Sequence, residues 1–175
     1  MPKKRILPYI ILGILKQNPG FTGKSITYQF TNEIGEFWKA AHSQVYPELK
    51  KMQQDDWITS KHAENNEKEI HYYLTAIGEK KLENWINQPL TELPVNQDLF
   101  SLKMFFINDP HDSRIKVMVN EELALLEKQF LHLKQREKNV FPNKEKQDQN
   151  FGHYLILKRA MARLKGQIEW LRSLK

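Results

Sequence analysis

What most constrains this chain is an order of patterns. A short polar and basic segment, His42-Ser43-Gln44-Val45-Tyr46-Pro47-Glu48-Leu49-Lys50-Lys51, stands between an apolar helical pattern and a Trp-led pair of strand-like runs. Its own periodicity is divided: Val45, Leu49 and Met52 fall on one stripe of a helix, while Tyr46, Lys50 and Gln53 fall on a neighbouring face. One face can pack while the other meets a ligand. Pro47 is compatible with a helix capped at Ser43 or a residue just before it, because it then deletes only an early bond.

The flanks fix the context. Ile6 to Lys16 is an apolar helix candidate with Pro8 in its first turn, closed by Asn18-Pro19-Gly20. A second helix is expected from the cap Thr22 through Ile26, Phe30 and Ile34 to Gly35, with Phe37 and Trp38 as core material after it. Beyond the central segment, Trp57 to Ser60 and Ile70 to Leu74 read as strands joined by the polar connector Glu64 to Lys68. Thr75-Ala76-Ile77-Gly78 then leads into a fourth helix with Lys81, Leu82, Trp85 and Ile86. Three helices, a hairpin and a helix predict a winged helix-turn-helix domain over residues 1–87.

In that fold the first turn of the third helix is the reader. Gln44 suits adenine, His42 and Ser43 suit base edges or phosphates, and Tyr46 suits a phosphate or a thymine methyl. Lys50 and Lys51 add cations behind them. The hairpin tip carries more Glu than Lys, so wing contacts fall to Lys61, His62 or Lys68.

Composition agrees with a binding protein and excludes much else. The formal charge of +6 is concentrated early: residues 1–51 hold eight Lys or Arg against three Glu. There is no cysteine, and the histidines at 42, 62, 71, 111, 132 and 153 lack paired metal-ligand spacing, so neither metal nor cofactor is expected. Glu33 with Glu36, and Glu121 with Glu122, have no nucleophile or glycine-rich phosphate loop beside them, which argues against an enzyme. Neither a bilayer-length apolar run nor a cleavable leader pattern follows Met1-Pro2-Lys3-Lys4-Arg5, and a cytoplasmic protein is expected.

The remainder predicts a mainly α protein with a C-terminal helical dimerisation domain at 98–175, reached through a linker at 88–97. Leu99, Phe100, Leu102, Met104, Phe105, Phe106 and Ile107 form an apolar cluster whose density argues burial. Val119, Leu123, Leu126, Phe130 and Leu133 form one heptad seam and Leu157, Met161, Leu164, Ile168 and Leu171 a second, separated by a polar stretch from Asn139 to Asn150 read as a loop. A homodimer exchanging these helices, with Leu123, Leu126, Phe130, Leu164, Ile168, Trp170 and Leu171 at its interface, satisfies both seams and sets two recognition helices on a palindromic operator. An intramolecular helical hairpin is the alternative.

The chain resembles the PadR family of winged helix regulators, and within it the phenolic acid-responsive members. The resemblance rests on Ile6-Leu7-Pro8-Tyr9-Ile10-Ile11-Leu12-Gly13-Ile14-Leu15, on Gly35-Glu36-Phe37-Trp38 with His42 to Lys51, on Tyr73-Leu74-Thr75 and on Phe151-Gly152-His153-Tyr154-Leu155-Ile156-Leu157. It implies a homodimeric repressor of a phenolic acid decarboxylase gene, bound to double-stranded operator DNA and released by hydroxycinnamic acids such as p-coumarate or ferulate. It also carries DNA recognition onto His42, Ser43, Gln44 and Tyr46. Family members usually have Tyr-Asp or similar after the glycine of the second helix; here Gly23 is followed by Lys24-Ser25, which trades one contact for a phosphate contact by Lys24.

An effector of that class needs a flat apolar slot and a partner for its carboxylate. Phe100, Met104, Phe105 and Phe151 are candidates for the slot, Lys103, His153, Tyr154 and Lys158 for the polar groups, and Tyr9 and Trp38 for contacts from the winged domain. The alternative is a family member that answers to a lipophilic or cationic molecule.

Overall fold

Proline, glycine and hydroxyl caps punctuate the chain where its periodicities change. The structure, a computed structural model, describes residues 5–31, 34, 38, 40–63, 66–91 and 98–175, without the side chains of 67 and 68. These residues divide between two units, Met1–Leu93 and Pro94–Lys175. The fold is mainly helical, with a winged helix unit first and a helical unit second.

In the first unit, helix α1 (Leu7–Gln17) has Pro8 in its opening turn, where no backbone donor is needed. Gly20, at φ 85°, turns the chain into α2 (Gly23–Gln29), whose cap Thr22 accepts from the Ser25 N–H. Helix α3 (His42–Gln54) leads into strands β1 (Ile58–Ala63) and β2 (Asn66–Leu74), antiparallel with Ile58 opposite Leu74 and His62 opposite Ile70. The register then shifts so that Ala63 faces Asn66. Helix α4 (Ala76–Ile86) is capped by Thr75, whose hydroxyl accepts from Gly78 N–H and donates to the Asp56 carbonyl at 2.6 Å.

The core is drawn from every element: Ile11, Leu12, Ile14 and Leu15 of α1, Ile26 of α2, Val45, Leu49 and Met52 of α3, Ile58, Tyr72 and Leu82. Each fully buried aliphatic side chain contributes roughly 1.5–3 kcal/mol. The second helix is shorter than its apolar spacing predicts, because Thr31 commits both its amide and its hydroxyl to the Tyr28 carbonyl, at 3.0 and 2.8 Å. Trp38 is 42% exposed and does not join the core; Gly35 and Phe37 lie outside the described residues. The wing strands extend into the expected connector, of which Glu64 and Asn65 are not described. Pro47 sits at the sixth position of α3, so it removes an interior bond to the Ser43 carbonyl and not an early one.

In the second unit, α5 (Leu99–Phe105) is capped by Asp98, which accepts from Ser101 N–H at 3.1 Å. Helix α6 (Ser113–Val140) and α8 (Phe151–Ser173) form an antiparallel hairpin. Val119 and Leu123 pack with Ile168 and Leu171 at one end, and Leu133 with Leu157, Met161 and Phe141 at the other. The two seams therefore satisfy each other within one chain, contrary to the expectation that they need a partner. Leu123, Leu126, Phe130, Leu164, Ile168 and Leu171 lie in these two intramolecular clusters. The predicted loop is also more ordered: Phe141 is buried and Asn143 caps a short helix α7 (Lys144–Gln149). Conversely the dense cluster at 99–107 leaves Leu99, Leu102, Phe105 and Phe106 between 54% and 78% exposed. No described helix is long and apolar enough to cross a membrane.

Among the described glycines, Gly78 marks the tightest approach, since a Cβ there would stand 2.0 Å from the Trp57 carbonyl oxygen and 3.2 Å from Leu12. Replacement by alanine has to push α4 off the hairpin, and Gly78→Ala is expected to lose roughly 3 kcal/mol in urea unfolding; an unchanged midpoint would refute this packing.

Candidate nucleic-acid interface and effector region

The sequence divides α3 into a buried stripe and an exposed start, and the structure keeps that division. Val45, Leu49 and Met52 are buried to 1% exposure or less, whereas His42, Ser43, Gln44, Lys50 and Lys51 are exposed and Tyr46 is 40% exposed. The helix begins with half of a capping box. Gln44 Oε1 accepts from the Ala41 N–H at 2.9 Å, but Ala41 has no side-chain oxygen to return the bond. The Gln44 N–H turns back to the Ala41 carbonyl at 2.9 Å, while the amides of His42 and Ser43 have no acceptor within the helix, and this end presents a partial positive charge. A phosphate fits this end of the helix, and the exposed side chains around it fit base edges.

Tyr46 is held in place from two sides. Its ring lies 4.4 Å from that of His42, one turn earlier, and it crosses the start of α2 where Gly23 has no side chain. A Cβ on Gly23 would come 2.8 Å from Tyr46 Cε1. Gly23, Lys24, Tyr28, His42, Tyr46 and Glu69 share the wall of one open groove between α2, the α3 start and β2, with a volume of about 1100 Å³. Tyr72 closes its floor, and burial holds that phenol above its ordinary pKa, with Tyr46 adding to the effect.

Lys24 is exposed on α2, as its predicted role requires. Tyr28, 62% exposed, was missed by the sequence reading; its signal was the four-residue spacing from Lys24, which puts both on one face. On the wing, Lys61 is exposed with its ammonium 5.6 Å from the Tyr73 ring, and the backbone of Lys68 runs in β2 while its side chain lies outside the described residues.

Within the second unit the predicted effector residues fall into two groups. Phe100, Lys103 and Met104 belong to α5; Phe100 meets Trp170 edge-on at 6.3 Å, and Lys103 shares a small cleft of about 180 Å³ with Glu121 and Glu122. Phe151, His153, Tyr154 and Lys158 begin α8. His153 and Tyr154 place ring edges on Phe141 at 5.0 and 5.5 Å, and Lys158 donates to Glu137 at 3.0 Å, a bond that raises the lysine pKa. From Glu122 to Glu137 along α6 is about 22 Å at 1.5 Å per residue, too far for one small acid to span. Trp170, expected at a dimer interface, is 53% exposed. In the winged unit Tyr9 stacks on Trp85 at 5.2 Å with rings 9° apart, a packing role, and Trp38 stands partly in solvent.

Comparison with known proteins matches residues 11–84 to the transcriptional regulator PadR-like family and residues 97–175 to the family described as virulence activator alpha C-term. The negative transcriptional regulator PadR of Bacillus subtilis is 33% identical, over 97% of this chain and 96% of its own length. The crystal structure of B. subtilis PadR with operator DNA superposes with a TM-score of 0.84 at 30% identity, covering 98% of this chain and 97% of that one. Its complex with p-coumaric acid gives 0.84 at 31% identity, covering 97% and 96%.

The Gly23 contact makes a prediction of its own. Gly23→Ala should displace the Tyr46 ring and weaken binding to duplex DNA about tenfold, while thermal unfolding stays within about 1 kcal/mol, since alanine is a good helix residue. Unaltered DNA affinity would remove Tyr46 from the interface.

Proposed function

This chain belongs to the PadR-like family of transcriptional regulators, and from that premise we propose that it is a repressor that binds a palindromic operator as a homodimer and is released by phenolic acids. The observation that carries the proposal is likeness across both units to a negative regulator whose crystal structures include operator DNA and p-coumaric acid. The exposed start of α3 supports the first half: His42, Ser43, Gln44 and Tyr46 stand on a positive helix end, with Lys24, Lys50 and Lys51 available to phosphates. In a two-fold dimer two such helices meet successive major-groove faces.

The homodimer is supported by apolar surface that one chain leaves uncovered, Leu99, Leu102, Phe105 and Phe106 on or just after α5, with Leu131, Leu155 and Trp170 on the hairpin. Residues of the heptad seams hold each protomer together, and the outward residues join the two.

For the effector, the α8 start is the better-equipped end. Tyr154 and His153, packed on the buried Phe141, supply aromatic surface, and Lys158 supplies a cation for a carboxylate. Glu137 occupies that cation without effector, so a hydroxycinnamate carboxylate displaces one anion by another. Lys103 faces two glutamates and is less suited to an acid. The regulated gene is a phenolic acid decarboxylase gene, whose product would remove the inducer.

Release is measured by fluorescence anisotropy on a labelled phenolic acid decarboxylase promoter fragment at fixed salt. Millimolar p-coumarate should raise the apparent Kd at least about tenfold, a coupling of 1–3 kcal/mol being usual for effectors, and benzoate at equal ionic strength should leave it unchanged. Binding indifferent to p-coumarate would keep the regulator and exclude this effector.

A further inference from the structure

The recognition helix carries a carboxylate where DNA recognition has least use for one. Gln44, Glu48, Lys51 and Asp55 recur at three- and four-residue intervals and share one stripe of α3 and its cap. Glu48 thus lies one turn below Gln44. Unmasked, it would face the same polyanion as the start of the helix.

It is masked by a residue from the far end of the unit's sequence. Arg5, just before α1, donates from Nε to Glu48 Oε1 at 3.0 Å and from Nη2 to the same oxygen, while Nη1 reaches Asp55 Oδ2 at 3.5 Å. Its guanidinium lies 5.7 Å from the Trp57 ring centroid, and the Lys81 ammonium is 5.6 Å from the same ring. The Glu48 side chain is only 14% exposed. The hydrogen bond that Arg5 donates to Glu48 raises the Arg5 pKa, as expected for a cation held by a carboxylate. The fork shape of the guanidinium lets it bridge two acids seven residues apart, which an ammonium could do less well.

We infer that Arg5 is a positioning residue for DNA recognition, neutralising Glu48 and Asp55 and fixing α3 against the start of α1. It contacts no DNA in this role; it acts through the charge and orientation of α3. The inference rests on the DNA-binding reading of α3 and adds to it a residue outside the reading helix.

The test uses the full-length protein and a labelled duplex carrying the operator bound by the B. subtilis regulator. At 50 mM salt, Arg5→Met should weaken binding about tenfold, and the gap should narrow at 200 mM as screening shortens the reach of Glu48. Adding Glu48→Gln to Arg5→Met should bring affinity back to within about threefold of wild type. Adding Glu79→Gln instead, which removes an exposed charge on α4, should not restore it. Thermal unfolding of each variant shows that α3 stays folded at the binding temperature. Unweakened binding by Arg5→Met, a salt-independent gap, or equal rescue by Glu48→Gln and Glu79→Gln would overturn the inference while leaving the DNA-binding reading intact. Wild-type protein that binds neither this duplex nor a random one would overturn both.

Discussion

Helix α3 has to be core and reading surface at once, and the rest of the winged unit follows from that double duty. Val45, Leu49 and Met52 are completely or almost completely buried, so the helix cannot shift without opening the core shared with α1, α2 and the hairpin. That fixity lets the opposite side do recognition: exposed side chains in the first turn are useful only if their backbone is held to within a fraction of an ångström. Gly23 behind Tyr46, the Gln44 cap and the Arg5 clamp each restrict one part of the helix. Pro47 carries the cost of an interior bond, at an exposed position of the helix.

The helical unit follows a different economy. Two heptad seams in antiparallel helices close on each other, so the intramolecular core consumes the most regular apolar pattern in the sequence. What remains outward is irregular: the α5 face and scattered residues of α6 and α8. An apolar surface of that kind is what a self-complementary partner covers. The proposed homodimer thus depends on the residues that break the heptad pattern, and a substitution at Phe105 or Phe106 bears on association where one at Leu123 bears on protomer stability.

Much of the first unit was legible in the sequence because its signals are local. Thr22 and Thr75 cap helices, Pro8 opens one, and Asn18-Pro19-Gly20 ends one; each acts through bonds to near neighbours. The division of α3 was legible for the same reason, being a matter of helical spacing. Contacts between distant segments were not. Nothing in the spacing of Arg5 points to Glu48, and nothing in Gly23 announces the Tyr46 ring. The pairing of the two seams was ambiguous, since a heptad pattern states that a partner helix exists without stating whose it is. The effector candidates were chosen by chemical type, which carries no position, and along α6 those of the second unit fall into two separate groups, one by Glu121 and Glu122 and one by Glu137.

The central claim is that the first turn of α3 reads sequence, beyond attracting phosphate. Gln44→Ala, measured on the operator duplex and on a scrambled duplex of equal length at the same salt, tests it most directly. A base-reading Gln44 predicts a loss of roughly 1–3 kcal/mol on the operator and little change on the scrambled DNA. Equal losses on both would show that Gln44 only caps the helix, and would contradict sequence reading by this turn.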